Sequence, residues 1–134
     1  MIPTLEFILG RGVAEQIIEK SVEVITQDGV LFRQGQPGDC LYFVKWGEVA
    51  LTMLAGNKEI RIRAGKGSLL GLPAVFGNQP HTMTAKAAWD AEIFKLGAEA
   101  FRDLMNEEPR MKEIVLQVLA GEVRAIRQAF SQLI

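Results

Sequence analysis

The stretch "GVLFRQGQPGDCLYFVKWGEVALT", Gly29 to Thr52, carries most of what this chain says about its architecture. Leu41 to Lys45 is rich in the aromatic and branched residues that suit a pleated surface, Trp46-Gly47 interrupts it, and Glu48 to Leu54 resumes. Pro37-Gly38 suits a type II turn, proline presetting φ and glycine accepting a positive one. Downstream, Gly56-Asn57 reads as a hairpin turn. Ile60, Ile62 and Ala64 then alternate with Arg61 and Arg63, the pattern of a half-buried strand with its basic side outward. Upstream, Val22, Val24 and Thr26 alternate with polar neighbours before a turn at Gln27 to Gly29. Strands at such short spacing, separated by glycine turns, predict a small antiparallel barrel or sandwich.

The texture is different at the two ends. Val13, Ile17 and Ile18 predict an early helix over Val13 to Lys20. After Gly97 the pattern is helical: Phe101, Leu104 and Met105 share one side of a first helix, and Pro109 with Glu107 and Glu108 suits the start of a second. That second helix is expected to run to the last residue. Leu116, Leu119, Val123, Ile126, Phe130 and Leu133 recur in it at alternating three- and four-residue steps, the spacing of a dimer seam. Packing of this face on the barrel is the alternative, but Met111, Val115 and Val118 form a separate apolar row for that purpose. Gly121 costs about 1 kcal/mol relative to alanine in mid-helix, which suggests a close approach there.

Composition narrows the function classes. The 134 residues hold 49% hydrophobic and 23% charged side chains, as expected of one globular domain. Fifteen basic and 16 acidic residues leave a net charge of −1, which gives no electrostatic reason to expect nucleic acid or a membrane surface. Cys40 is the single cysteine and His81 the single histidine, so cysteine-ligated zinc and iron–sulfur sites within one chain are excluded. No apolar run approaches the roughly 20 residues of a membrane span, and "MIPTLEFILGRG" lacks a basic start, so the cytoplasm is the expected location.

The chain resembles the cyclic-nucleotide-binding domain of the Crp/Fnr regulator family. The resemblance rests on Gly29 to Thr52, on "GKGSLLGLPAVFGNQPHTMTAKA" (Gly65 to Ala87) and on "FRDLMNEEPRM" (Phe101 to Met111), with Gly35, Gly38-Asp39, Gly47 and Gly71 at family-like spacing. It implies a mainly β fold with flanking helices: an antiparallel, jelly-roll-like β-roll over about residues 21–96, followed by helices over 97–134 that end in a long dimer helix, all in a single domain spanning 1–134. It also implies a binding cassette at Gly71, Leu72, Pro73, Ala74, His81 and Thr82. In the family's nucleotide binders a Glu follows the glycine and accepts the ribose hydroxyl, and an Arg pairs with the cyclic phosphate. Here those positions hold Leu72 and His81, while the next hydroxyl is retained as Thr82. Leucine accepts no hydrogen bond. Histidine, with an ordinary pKa of about 6.5, is mostly neutral at pH 7 and offers no bidentate fork. A hydrogen bond to a charged group is worth roughly 1.5–3 kcal/mol, so losing both grips weakens nucleotide binding by orders of magnitude.

Two functions follow as expectations. One is a small-molecule-sensing regulatory module, with cAMP or cGMP as the ligand the resemblance implies, coupling pocket occupancy to a homodimer through the last helix. The other is a degenerate domain that binds no nucleotide and serves dimerisation or protein docking. The family's regulators continue into a winged-helix DNA-binding domain, whereas the sequence here stops at Ile134, so direct DNA binding by this chain is not expected. His81 as a haem ligand is the weaker reading, and one histidine is too few for a cupin-type metal site. No nucleophile–base or paired-carboxylate arrangement is legible, so no enzyme activity and no fixed cofactor are expected.

Overall fold

Gly56 and Asn57 form a two-residue loop, with Gly56 at φ +67°, and the strands they join pair from Ala55 opposite Lys58 to Val49 opposite Ala64. This hairpin seeds one of two four-stranded sheets in a computed structural model that describes residues 22–131. The strands are β1 Val22–Ile25, β2 Val30–Phe32, β3 Cys40–Trp46, β4 Val49–Ala55, β5 Lys58–Ala64, β6 Leu69–Leu70, β7 Thr84–Ala87 and β8 Ala91–Gly97. Three helices accompany them among the described residues: α1 Leu72–Gly77, α2 Ala98–Glu107 and α3 Met111–Ser131. Sheet order is β1-β8-β3-β6 in one layer and β2-β7-β4-β5 in the other, with every pairing antiparallel. The expected antiparallel β-roll with a long following helix is therefore present.

Two apolar cores hold these elements, and β3 serves both. Tyr42 and Val44 point between the sheets with Val49, Leu70, Ala85 and Ile93. Leu41, on the opposite face of the same strand, joins Leu69, Leu72, Val75, Phe101, Val115 and Val118 beneath the helices. A strand buried on both faces reads as a continuous apolar run, which is why "LYFV" does not alternate. On β5 the alternation holds: Ile60 and Ala64 are buried while Arg61 and Arg63 face water beside Glu59 and Glu48.

Three local expectations are corrected. The turn after β2 lies at Arg33 to Gln36, where Gln36 N–H donates to the Arg33 carbonyl at 3.1 Å and Gly35 takes φ +90°. Gly38 is not at positive φ; it is small because a Cβ there would meet the Ala74 Cβ at 2.5 Å. In β1 the outward residue is Val24, 67% exposed, while Ile25 packs against the inter-sheet core. Pro109 sits in the break between α2 and α3, because α3 starts only at Met111. The helix expected over Val13 to Lys20 lies outside the described residues, as does Leu133.

Candidate functional site

The β2–β3 turn and residue 81 are locked together through the backbone. Gly35 N–H donates to the His81 carbonyl at 2.8 Å, and His81 N–H donates to the Gln36 carbonyl at 2.8 Å. This exchange sets the direction of the His81 ring, which stacks on Phe32 with centroids 3.9 Å apart and 17° between planes. Phe32 in turn tilts against Tyr42 at 5.2 Å. Gly71 closes the other side: it holds φ +89°, and a Cβ there would lie 3.2 Å from the His81 Cε1 and 3.3 Å from the Cys40 carbonyl oxygen. Only glycine meets both the conformation and the space.

Gly71 leads into α1, which opens with the Val75 N–H on the Gly71 carbonyl at 3.1 Å and is ended by Asn78 at φ +50°. Gly38 lets the β2–β3 turn lie directly on Ala74 of this helix. The cassette is therefore held by close backbone approach from both sides.

These residues line a partly open cavity of about 30 Å³. The roll contributes Phe32, Leu51, Ile62, Leu70 and Met83; the cassette contributes Gly71, Pro73, Ala74, His81 and Thr82. The third wall comes from α3, as Glu122, Ala125 and Ile126. A cavity for a nucleotide-sized ligand measures several hundred cubic ångströms, roughly 300 Å³ at least. The α3 side chains form one wall of this small space.

Electrostatics follow from burial. His81 is 5% exposed, and burial lowers its pKa from the ordinary histidine value, with the nearby Asp39 carboxylate partly opposing. Its imidazole is neutral at pH 7. Glu122 is half-buried, and desolvation pushes its carboxyl up to about 7.

Five of the six expected cassette residues, Gly71, Pro73, Ala74, His81 and Thr82, come together around the cavity. Leu72 does not. It is fully buried in the second core, with Leu41, Leu69 and Phe101. Along α3 the seam residues divide. Leu116, Val123 and Phe130, seven residues apart, are 62%, 54% and 39% exposed. Leu119 packs against the second core, and Ile126 packs against the inter-sheet core as well as lining the cavity. Val115 and Val118 are buried on the roll as expected, and Gly121 is buried between them and the cavity wall in sequence.

Phe32 and Glu122 were not singled out from the sequence. Glu122 had a signal: it continues the row Val115, Val118 at helical spacing and is followed by Ala125, so a carboxylate interrupts an otherwise apolar face. Phe32 had none, since its role depends on which strand ends beside residue 81. Among the described residues no group of three or more His, Cys, Asp or Glu is gathered to hold a metal ion, and no helix is long and apolar enough to cross a membrane.

The model of the cyclic nucleotide-binding domain matches residues 22–108, and the chain belongs to that family. The CRP-like cAMP-activated global transcriptional regulator of Mycobacterium tuberculosis is 26% identical over 106 residues, covering 78% of this chain and 47% of the regulator. The N-terminal domain of a transcriptional regulator from Streptomyces coelicolor A3(2) superposes with a TM-score of 0.64 at 27% identity, covering 84% of this chain and 81% of that one. The catabolite activator protein of Thermus thermophilus shares the fold with a TM-score of 0.78 at 23% identity, covering 96% of this chain and 62% of that one. The chain spans 24% to 47% of the length of the first curated relatives it matches.

Proposed function

We propose that this chain is a small-molecule-sensing regulatory module in which occupancy of the β-roll cavity moves α3. The observation that carries this reading is the shared wall: Glu122, Ala125 and Ile126 of α3 line the same cavity as Gly71, Ala74 and His81. The cavity is small for a nucleotide and α3 forms one of its walls, so a ligand of that size meets α3 side chains as it enters. Ligand and helix then compete for one space, and a ligand shifts the helix by as much as its affinity differs between the two arrangements. The exposed row Leu116, Val123 and Phe130 gives the helix a surface on which a second copy of the chain would read that shift. No catalytic step belongs to this reading, and the cytoplasmic location that goes with it rests on the likeness to transcriptional regulators.

A specific observation favours the second reading, a domain that binds no nucleotide and serves dimerisation or docking. Leu72 lies in the core and His81 is neutral, so at the two positions where the resemblance puts the nucleotide contacts there is neither a ribose acceptor nor a positive charge. The test is a calorimetric titration of cAMP and cGMP into protein unfolded and refolded to strip any carried ligand, paired with hydrogen exchange over α3. The sensing reading expects weak binding that loosens α3. Binding with α3 unchanged overturns the coupling, and silence of both nucleotides at millimolar concentration retires the nucleotide and leaves a different effector or docking.

A further inference from the structure

The cavity's charge inventory suits a ligand of the opposite sign to a cyclic phosphate. Among the described residues that line it, Glu122 is the one formally charged side chain, and neither lysine nor arginine is present. The cassette wall offers His81, kept neutral by burial, and Thr82, which is exposed. Asp39, the charge that acts on His81, is also acidic. The remaining walls are apolar, from Leu51, Ile62, Leu70, Met83 and Ile126. A carboxylate in such surroundings is costly to keep ionised unless a cation or strong donor meets it. An anion entering the same space meets the carboxylate's repulsion with no counter-charge.

We propose that this cavity selects a small apolar cation, an amine or ammonium compound whose charge is met by the Glu122 carboxylate, and discriminates against anions. The inference rests on the sensing reading for its site. It adds the ligand's chemical class and makes Glu122 the specificity-determining residue. Because Glu122 stands on α3, the cation's charge is held by the moving element itself, so the helix that must yield to the ligand also supplies its counter-ion.

The test uses three isosteric probes, benzylamine, benzyl alcohol and benzoate, titrated at pH 8 into the full chain and into Glu122→Gln, with nuclear magnetic resonance shifts of cavity methyl groups as the binding readout and α3 hydrogen exchange alongside. The pH keeps the carboxylate ionised and leaves the amine protonated. The expected result is benzylamine at least tenfold tighter than benzoate in the unaltered chain, with benzyl alcohol between, and a preference lost in Glu122→Gln. Equal or tighter binding of benzoate, with α3 loosened, overturns the cation inference and leaves the sensing reading standing. Preferential binding of benzylamine with α3 unchanged supports the inference and overturns the coupling. No binding of any probe at 10 mM (about the upper limit for ligands of this size) overturns both.

Discussion

The His81 imidazole lies flat on the Phe32 ring, 3.9 Å between centroids, and its own backbone is clamped to Gly35 and Gln36. Residue 81 is thereby part of an aromatic wall with Phe32 and Tyr42. Burial lowers the His81 pKa below its ordinary value of 6.5, so the unfolded chain takes up a proton before the folded one does as pH falls. The stabilising contribution of neutral His81 is therefore present above pH 6.5 and is lost on acidification through the folded pKa. In urea denaturation, wild type minus His81→Phe should lose stability between pH 7 and pH 5. A difference that stays flat would mean that the imidazole is freely solvated.

Glu122 runs the other way. Its carboxyl is raised from 4.5 to about 7, so the folded chain holds a proton that the unfolded chain has already released. That contribution is present below pH 4.5 and lost as pH rises through 7. At pH 8 the ionised carboxylate costs on the order of 1–3 kcal/mol, and Glu122→Gln should be more stable than wild type by about that amount. The gain should shrink steadily toward pH 5. Equal stability at pH 8 would show that water or a cation already satisfies the carboxylate.

Leu72 cannot be converted into a ribose acceptor by a single change. Its side chain is fully buried against Leu41, Leu69 and Phe101, so Leu72→Glu places a carboxylate in the second core. The expected loss is about 3 kcal/mol or more in urea denaturation, with no gain in cAMP affinity. Near-wild-type stability together with tighter cAMP binding would mean that residue 72 reaches the cavity after all.

For the α3 surface, Val123 is the informative position because it is 54% exposed and lies midway between Leu116 and Phe130. If a second copy covers this row, Val123→Glu should shift sedimentation from dimer to monomer without changing the thermal midpoint of the monomer. An unchanged mass would place the interface elsewhere. Ile126 is a poorer probe, since it serves the core and the cavity at once.

Much of the roll was legible because its signals are local. The Gly56-Asn57 turn, the β5 alternation and the apolar run of β3 each follow from neighbouring residues, and the glycines of the cassette mark close backbone approaches. Side-chain direction was less legible. The resemblance places Leu72 in the binding cassette, but the left-handed Gly71 starts a short helix that carries residue 72 into the second core. The seam on α3 was read as one face because the spacing is regular. The roll lies close enough to claim Leu119 and Ile126 and leave Leu116, Val123 and Phe130 outside, a division that depends on distances no spacing encodes. The cavity's small volume likewise emerges only when α3 is laid across the roll.

The steric competition between α3 and a ligand can be tested without knowing the ligand. Ala125 is half-buried in the cavity wall, and Ala125→Trp adds far more volume than the roughly 30 Å³ available. Hydrogen exchange should show the α3 amides around Val118 to Ile126 losing protection in this variant while those of β3, β4 and β8 keep theirs, the wedge standing in for an occupant. Wild-type protection of α3 in a folded Ala125→Trp would mean that the cavity fills without moving the helix, and would contradict the coupling on which the sensing account depends.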